Sequence, residues 1–311
     1  EILRVIDLGK QLLANNLKSS REDKIEIYPL VLCKCSRCHT LQLSVTVEPE
    51  VLFSDYVWVT GTSQVAKKHS QKFFLEAKKY LKNDKDLVVE IASNDGTFLK
   101  PFYKNGFKVL GIDPAKNIAE MANQSGIKTL PVFFSSSKAK EIVNQYGSAS
   151  LIFARNVIPH VPNAKDIIKG IAYSLKQNGI GIIEFHRADI ILKDLHYDSI
   201  YHEHFFYYSI KSLTKLLEKF DLYPFDVIKS PISGGSYVMY FSKLKKEKTI
   251  SLKNAELLEE ELGIENVNSW TKFASKVEKH RFELKNILET MKNNGKKIVG
   301  YGASARSSTL L

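Results

Sequence analysis

The sequence has no long hydrophobic run. Its composition is that of a globular chain, with 44% apolar and 25% charged residues in 311 positions, which is long enough for two or three domains. No apolar run approaches the roughly 20 residues that a membrane-spanning helix needs. The first residues also show no charged-then-apolar leader of the secretory kind. We therefore expect no membrane partner, and a cytosolic (cytoplasmic) location is the default.

Acidic residues are in the minority. The chain has 34 Asp and Glu against 45 Lys and Arg, so its formal net charge is +11. This balance admits nucleic acid, an anionic surface or phosphorylated small molecules as partners. The lysines are scattered along amphipathic helices instead of forming one block, which favours a solvated face for most of them. Charge alone does not select among these partners.

Cysteine is rare, and the few cysteines are clustered. All three fall within six positions, at Cys33, Cys35 and Cys38. The Cys35-x-x-Cys38 spacing presents two thiolates as tetrahedral zinc prefers, and the short alternating strands of residues 25–47 fit a small structural zinc ribbon. The other two ligands would be Cys33 and His39, which lie close in sequence for wrapping a metal, or a second knuckle upstream if the chain is a fragment. A redox pair or inert cysteines are the alternative.

The main glycine-containing loop lacks the Gly-x-Gly-x-x-Gly spacing of a pyrophosphate site. It follows a buried apolar strand predicted at residues 87–91. Its residues are Glu90, Ala92, Ser93, Asn94, Asp95 and Gly96. The carboxylate of Glu90 repels phosphate but suits the ammonium and sulfonium of S-adenosylmethionine, which has no phosphate. The loop therefore favours S-adenosylmethionine over NAD, with an ordinary strand-to-helix turn as the alternative.

Further candidate residues follow the neighbouring strands. Asp113 ends the next predicted strand roughly 20 residues after the loop, where an acid in a βαβ unit reaches the ribose hydroxyls of a nucleoside. An N-cap before Pro114 is a compatible alternative. The carboxyl ends of the other strands carry Phe133, Phe134 and Asn156, with His160 close behind Asn156. The two phenylalanines could sandwich an adenine, with simple core packing as the rival interpretation.

The order of elements predicts an α/β fold. Five βα units starting near residue 86 indicate a parallel, doubly wound sheet. The strands predicted at 222–229 and 236–243 are joined by a glycine turn and must therefore pair antiparallel. A parallel Rossmann-like sheet with an antiparallel last strand is the plan of class I methyltransferases, whereas NAD-binding sheets continue parallel.

The order of motifs and predicted elements indicates three domains. We expect a zinc-ribbon-like domain over residues 1–68, truncated at its start, and an S-adenosylmethionine-binding domain over 69–250. Residues 251–311 are predicted to be a helical bridge followed by the start of a second Rossmann-like domain, with a strand near 297–299 and a glycine turn. The exposed amides of that turn and Arg306 could hold a phosphate.

An inserted segment, residues 188–208, is rich in ionisable side chains. It contains Tyr201, His202, Glu203, His204, Tyr207 and Tyr208. These residue types, placed after the fifth strand where substrates sit, suit proton transfer. Metal binding competes, but imidazoles two positions apart point to opposite sides of an extended chain. We therefore predict one catalytic and one structural histidine, with a surface cluster of no function as the alternative.

Together these motifs resemble the sugar C-methyltransferase family that acts on nucleotide-linked keto-deoxysugars. The matching stretches are residues 5–9, 13–16, 28–30, 35–38, 41–43, 90–96, 201–204, 234–236 and 300–303. The resemblance covers nearly the whole chain and implies a zinc-ribbon domain, a class I methyltransferase core and a Rossmann-like C-terminal domain. Three features depart from the family pattern. A Cys-x-x-Cys before Val5 is absent, Ala92 replaces a glycine, and Arg306-Ser307 replace Lys-Gly.

The resemblance also implies a mechanism and a partner, a nucleotide-diphosphate sugar that the basic charge balance fits. Methylation at a carbon beside a ketone needs removal of a proton to leave an enolate. His204 is the candidate base. Tyr201, Glu203 and His160 would orient it or donate to the enolate oxygen, and Tyr56 would close over the site.

Two other functions compete with this reading. A nucleic-acid (RNA) methyltransferase is encouraged by the charge and the zinc ribbon. It would want an Asn/Asp-Pro-Pro-Tyr/Phe loop after the fourth strand, where this chain has Arg155-Asn-Val-Ile-Pro159-His160. A non-catalytic scaffold with a decayed site is the third hypothesis, and it predicts no binding of S-adenosylmethionine.

Overall fold

The structure is a computed structural model that describes residues 1–14, 26–48, 51–52, 58–83, 85–302 and 304–310. The described strands are β1 (Ile2–Leu12), β2 (Ile27–Cys35), β3 (Leu41–Leu43), β4 (Leu87–Ile91), β5 (Lys108–Ile112), β6 (Thr129–Leu130), β7 (Ala149–Arg155), β8 (Leu175–His186), β9 (Phe206–Tyr207), β10 (Tyr223–Ser230) and β11 (Ser236–Ser242). The described α-helices are α1 (Gln64–Ala77), α2 (Lys100–Lys104), α3 (Lys116–Gln124), α4 (Ser136–Tyr146), α5 (Ala164–Ser174), α6 (Ala188–Lys193), α7 (Ile210–Glu218), α8 (Ile250–Glu261), α9 (Val267–Asn293) and α10 (Ser307–Leu310).

The chain folds into two compact units. The first unit comprises Glu1–Val47, Arg187–Ser209 and Leu257–Leu311, and the second comprises Glu48–His186 and Ile210–Glu256. This division differs from the predicted one, because the inserted segment and the C-terminal helix α9 group with the N-terminal strands. Sequence patterns carry no signal for such pairings between distant stretches of chain.

The second unit contains a seven-stranded sheet in the order β10-β11-β8-β7-β4-β5-β6. Strands β8, β7, β4, β5 and β6 are parallel neighbours, and β11 runs antiparallel to both β8 and β10. The turn between β10 and β11 contains Gly234 and Gly235 at φ +81° and +124°, where a side chain would be strained. The predicted parallel sheet with an antiparallel last strand is confirmed.

Burial explains why the central strands of this sheet form. Every residue of β4 is buried, as expected for a parallel strand covered on both faces. An aromatic cluster from α1, α2 and β7 covers the sheet, with ring centroids 4.9 Å apart for both Phe73–Phe153 and Phe74–Phe102. Such tilted and edge-to-face pairs contribute beyond the area that they bury.

The first unit is built on a four-stranded antiparallel sheet in the order β1-β2-β3-β9. Its last strand comes from the inserted segment, with Tyr207 opposite Leu41. Helix α9 packs on this unit through the buried Trp270, whose indole N–H donates to the carbonyl of Ile264 over 2.8 Å. The inserted segment is therefore an integral part of the N-terminal fold.

The end of the chain differs from the prediction. Residues 296–302 form no strand, and Val299 in their middle is 75% exposed. A strand needs a neighbour for its backbone hydrogen bonds, and the described part of the chain provides none here. Arg306, predicted to hold a phosphate, instead forms a 2.7 Å ion pair with Asp198.

Among the described residues, no helix is both long enough and apolar enough to cross a membrane.

Candidate active site

The loop after β4, residues 92–97, is here called the acidic loop. Ala92, Asn94 and Gly96 have φ of +52°, +49° and +74°, so the loop reverses sharply. Its backbone is held on β5, because the N–H of Ser93 donates to the carbonyl of Ile112 over 3.2 Å. A Cβ at Gly96 would lie 2.8 Å from the side chain of Ile127. The loop therefore needs glycine at this position for both space and φ.

Glu90, in β4 just before the acidic loop, is buried and only 2% exposed. Its Oε2 has no hydrogen-bond partner among the described residues. Burial raises the pKa of Glu90 well above its usual value, Arg155 opposes this, and Asp113, Asp95 and Glu184 add to it. An unpartnered buried carboxylate is costly. The surroundings of Glu90 therefore fit a cationic ligand, as the sequence predicted.

Asp113 follows β5 and fixes the acidic loop. Its Oδ2 accepts the N–H of Asn94 over 2.8 Å, and its Oδ1 accepts the N–H of Ala115 over 3.0 Å. Burial raises the pKa of Asp113, and these two N–H groups lower it in part. The N-cap residue of α3 is Ala115. Asp113 thus ties the acidic loop to β5 instead of capping the helix.

Asn94 and Asp95 use their side chains to hold a second piece of backbone. The Oδ1 of Asn94 accepts the N–H of Thr60 over 2.8 Å, and its Nδ2 donates to the carbonyl of Trp58 over 3.0 Å. The Oδ2 of Asp95 accepts the N–H of Gly61 over 3.2 Å, and its Oδ1 accepts the N–H of Thr97. Both residues were predicted to contact the cofactor. That contact stays a prediction, while their side chains bind the backbone of Trp58, Thr60 and Gly61, which the sequence did not indicate.

Glu184 in β8 is a second buried carboxylate, with a fully buried side chain. Its Oε2 accepts the Nε–H of Arg155 over 2.7 Å, and its Oε1 lies 3.4 Å from the Nε2 of His69. Burial alone would raise the pKa of Glu184, but Arg155 and His69 lower it to about 2. The guanidinium of Arg155 also stacks over the ring of Phe98 at 3.1 Å. The sequence placed Arg155 and Glu184 at strand ends but assigned them no role.

The other predicted residues of this unit have mixed surroundings. Phe134 is buried, and its Cε1 would lie 2.8 Å from a Cβ at Gly170 of α5, so it packs in the core. Phe133 is 44% exposed. Asn156 has φ +50° and donates its N–H to the carbonyl of Glu184 over 2.7 Å. Core packing, the rival interpretation, thus describes Phe134.

Two further residues, His160 and Tyr56, were predicted to act at the site. His160 is half-buried at the end of a short 3-10 turn, Ile158–His160, that follows β7. Its backbone N–H donates to the carbonyl of Val157 over 2.8 Å. Tyr56 lies outside the described residues, so its role stays a prediction.

The predicted catalytic residues of the first unit lie in a tight turn, residues 201–204, here called the histidine turn. The N–H of His204 donates to the carbonyl of Tyr201 over 3.0 Å. The Nε2 of His204 lies 3.1 Å from the hydroxyl of Tyr201, with the two ring centroids 4.4 Å apart. The turn thus joins an imidazole and a phenol, two groups that can exchange a proton.

The other residues of the histidine turn are buried. His202 is 1% exposed, and its Nε2 lies 3.3 Å from the carbonyl of Pro29 in β2. Burial lowers the pKa of His202. Glu203 is 4% exposed. The two histidines therefore have different surroundings, one anchored to the sheet and one paired with a tyrosine.

Cys35 and Cys38 are the two residues predicted to bind zinc. The backbone N–H of Cys38 is the main cause that lowers the pKa of Cys35 to about 7, against the effect of burial. The imidazole of His39 lies 3.1 Å from the Nζ of Lys34 and 3.6 Å from a carboxylate oxygen of Glu265, and its backbone N–H donates to the carbonyl of Cys35 over 3.0 Å. Among the described residues, no three His, Cys, Asp or Glu are placed to hold one metal ion. Cys35 and Cys38 suit a metal, but a four-ligand site is not complete in the described part of the chain.

Comparison with known proteins assigns the family. A family model described as a methyltransferase domain matches residues 64–226, and one described as the C-methyltransferase C-terminal domain matches 231–311. A zinc binding domain model, whose own description is provisional, matches residues 1–53. C-methyltransferase NovU of Streptomyces niveus is 32% identical over 314 residues, which span 99% of this chain and 75% of that protein. The chain belongs to the S-adenosylmethionine-dependent C-methyltransferase family. The predicted methyltransferase activity and methyl donor are thereby confirmed.

Solved structures give weaker likenesses. Magnesium protoporphyrin IX methyltransferase (ChlM) from Synechocystis PCC 6803, with bound SAH, has a TM-score of 0.46 at 14% identity, covering 60% of this chain and 89% of that one. The PH0226 protein from Pyrococcus horikoshii OT3 has a TM-score of 0.43 at 15% identity, covering 63% and 96%. At these TM-scores neither likeness adds to the assignment.

Proposed function

We propose that this C-methyltransferase methylates the carbon next to the ketone of a nucleotide-linked keto-deoxysugar, with His204 as the base. The observation that carries the methyl-donor part is Glu90, a buried carboxylate with one unpartnered oxygen beside Asp95 and Asp113. An opposite charge near a buried carboxylate favours its ionised form. A ligand with an ammonium and a sulfonium and no phosphate suits this environment.

The acidic loop and its neighbours would hold the donor, which supplies an electrophilic methyl group. Glu90 would face a positive group of the donor. Asp113, with each oxygen already accepting one N–H, retains lone pairs that can accept from ribose hydroxyls. The backbone of Ala92, Ser93 and Gly96 would line the same binding site. Asn156 would line it from the end of β7, the strand beside β4 in the sheet.

The acceptor carbon must lose a proton and keep the electron pair of its C–H bond before it can be methylated, and the S–CH3 bond of the donor then breaks and releases S-adenosylhomocysteine. A ketone next to that carbon makes its proton removable, and the electron pair left behind forms the new carbon–methyl bond. His204 would take the proton, and the hydroxyl of Tyr201 at 3.1 Å would hold the imidazole in one orientation and tautomer. A hydrogen-bond donor aimed at the developing enolate oxygen stabilises the transition state, and this is usually the largest electrostatic contribution to catalysis in such reactions. His160 and Glu203 are the candidates for that role.

Two features support a nucleotide-diphosphate sugar as the substrate class. The family resemblance of the quoted motifs implies it, and the net charge of +11 is compatible with a dianionic diphosphate. A structural role for zinc at Cys35 and Cys38 is likewise proposed from the lowered pKa of Cys35.

The test combines labelling with a matched pair of variants. The protein is mixed with methyl-labelled S-adenosylmethionine and a panel of nucleotide-linked keto-sugars in heavy water, and products are read by mass spectrometry. We expect a label on carbon, and, in mixtures without the donor, solvent deuterium at the same carbon, because an enolate that is not methylated is reprotonated by heavy water. In His204→Gln both should fall by about 100-fold or more, as for removal of a catalytic base.

His280→Gln is the control for this test. His280 also pairs with a tyrosine hydroxyl in the first unit, because its Nδ1 lies 3.0 Å from the Oη of Tyr197. The control should keep turnover within a few-fold of the parent chain, and both variants should bind S-adenosylhomocysteine normally by calorimetry. Unchanged turnover in a folded His204→Gln protein would contradict the proposed base.

A further inference from the structure

Residues 58–61, here called the pre-helix segment, lie just before α1 and against the acidic loop. One side-chain amide makes two contacts with this segment. The Oδ1 of Asn94 accepts the N–H of Thr60, and its Nδ2 donates to the carbonyl of Trp58. With distances of 2.8 and 3.0 Å, both are normal hydrogen bonds. The amide of Asn94 thus satisfies backbone groups as a neighbouring strand would.

Asparagine is the residue type that suits position 94. Its φ of +49° is left-handed, a region that Gly, Asn and Asp visit far more readily than other residues. Glycine would have no side chain for the two bonds. Aspartate has no N–H to donate and would repel the carbonyl of Trp58. The backbone N–H of Asn94 also donates to Asp113, so Asn94 connects the predicted ribose-binding acid to the pre-helix segment.

A second contact holds the same segment independently. The N–H of Gly61 donates to the Oδ2 of Asp95 over 3.2 Å. A Cβ at Gly61 would overlap that oxygen and lie 2.9 Å from the Oγ1 of Thr97. The close approach therefore depends on the missing side chain, and Gly61→Ala would push the segment off the loop without touching Asn94.

We propose that Asn94 is a positioning residue that couples methyl-donor binding to the placement of the pre-helix segment and of Trp58. The inference rests on the proposed function only in that the acidic loop binds the donor. A ligand held by Asp113 and the loop backbone fixes Asn94, and Asn94 then fixes Trp58 and Thr60. Coupling of this kind is reciprocal, so fixing the segment also strengthens donor binding.

Tryptophan fluorescence provides the direct readout. The chain has two tryptophans. Trp58 is 54% exposed, whereas Trp270 is fully buried in the first unit. Titration with S-adenosylhomocysteine should change the emission of the parent chain with saturation, and Trp58→Phe should abolish this change. Calorimetry of the same titration measures the dissociation constant separately.

The variants should separate positioning from stability. In Asn94→Gly and Asn94→Asp we expect the dissociation constant to rise about tenfold, because the hydrogen bonds that join the acidic loop to the pre-helix segment are lost and part of their free energy is coupled to donor binding. The emission change should be lost, and the KM for the donor should rise more than kcat falls. Gly61→Ala, which alters the pre-helix segment instead of the acidic loop, should also lose the emission change.

Asn105→Ala is the control variant. It deletes an amide-to-carbonyl bond of 2.8 Å to Pro101 at the far end of α2, so it should leave the emission change and the dissociation constant as they were. The coupling would be overturned if Asn94→Gly had the same dissociation constant and the same emission change as the parent chain. No binding of S-adenosylhomocysteine to the parent chain would overturn the proposed function and the coupling together.

Discussion

Two glutamates in the same sheet, Glu90 of β4 and Glu184 of β8, are buried to the same degree but have opposite electrostatics. Glu184 is paired with Arg155 and His69, and its pKa falls to about 2. The Oε2 of Glu90 has no hydrogen bond and no ion-pair partner among the described residues, whereas the Oε1 of Glu184, which also lacks a hydrogen bond, lies 3.4 Å from His69. The pKa of Glu90 is raised well above the usual value. The comparison shows that burial alone does not define the role of an acid. A paired carboxylate belongs to the fold, and an unpaired one is open to a ligand.

Strand register produces this difference. Glu184 lies opposite Arg155 in the β7–β8 pair, so a guanidinium is within reach. Glu90 lies opposite Gly111 and Phe153, and neither side chain can donate a hydrogen bond. Since a buried ion without a partner is costly, a positively charged group of the proposed donor would offset this cost at Glu90.

The largest expected effect comes from removing Arg155, the ion-pair partner of Glu184. Arg155→Ala leaves the charge of Glu184 buried with His69 as its remaining partner, and it should cost about 3–5 kcal/mol in the free energy of unfolding. Urea denaturation followed by circular dichroism measures this loss. The double variant Arg155→Ala, Glu184→Gln should recover much of it. A single variant as stable as the parent would show that the pair is not the stabilising element.

The lowered pKa of Glu184 also predicts a pH dependence of the parent chain. The stability that this carboxylate contributes is present above its unfolded pKa, near the usual 4.5, and is lost as the pH falls toward about 2. In Glu184→Gln the unfolding free energy should therefore fall less steeply over that range.

A smaller and opposite effect is expected from Glu90→Gln. Because the folded pKa of Glu90 is raised, its ionisation destabilises the fold as the pH rises above the unfolded value. The neutral variant should be about 1 kcal/mol more stable at pH 7, a gain typical of relieving a strained site. Its affinity for S-adenosylhomocysteine should drop at least several-fold, since a charge-assisted bond is worth about 1.5–3 kcal/mol.

Proton release sharpens this prediction about Glu90. A bound cation lowers the raised pKa, so at a pH between the pKa values of the free and the donor-bound protein, binding of S-adenosylmethionine should release protons from Glu90. The binding enthalpy in calorimetry should then vary with the ionisation enthalpy of the buffer. The same buffer dependence in Glu90→Gln would show that another group releases the proton.

The smallest effect concerns the loop that follows Glu90. Ala92 has φ +52°, where a residue with a Cβ is strained by about 1–2 kcal/mol. Ala92→Gly removes that strain but raises the entropy of the unfolded chain, so we expect a net gain of about 0.5 kcal/mol in urea denaturation. The matched control is Ala115→Gly at φ −72°, which should lose stability. Equal changes in both variants would argue against strain at Ala92.

Much of the fold could be predicted from local sequence patterns. The apolar run at β4 and the glycine turn between β10 and β11 are local signals, and they correctly predicted the sheet with its antiparallel last strand. The pairing of β3 with β9 was missed, because its partners are more than 150 residues apart in the sequence. The prediction of a strand near residue 298 was wrong, because a strand pattern in the sequence does not by itself provide a neighbouring strand to pair with.

The candidate site was predicted in part. Glu90 and Asp113 were chosen because acids at strand ends have a fixed position in a βαβ unit, and their contact with the donor stays a prediction. The side-chain bonds of Asn94 and Asp95 to the pre-helix segment were not found, since short polar residues in a loop carry no information about a distant partner. The packing of Phe134 against Gly170 on α5 was not predicted for a similar reason, since the two residues are distant in the sequence.

The sequence by itself determined the order of strands and helices, the acid at the end of β4 and the family to which the chain belongs. These features depend on residues that are neighbours along the chain or repeat at the period of a helix or strand. Only the tertiary structure decided which buried carboxylate is paired and which is open. That outcome depends on the register of adjacent strands, since Arg155 faces Glu184 while Gly111 and Phe153 face Glu90.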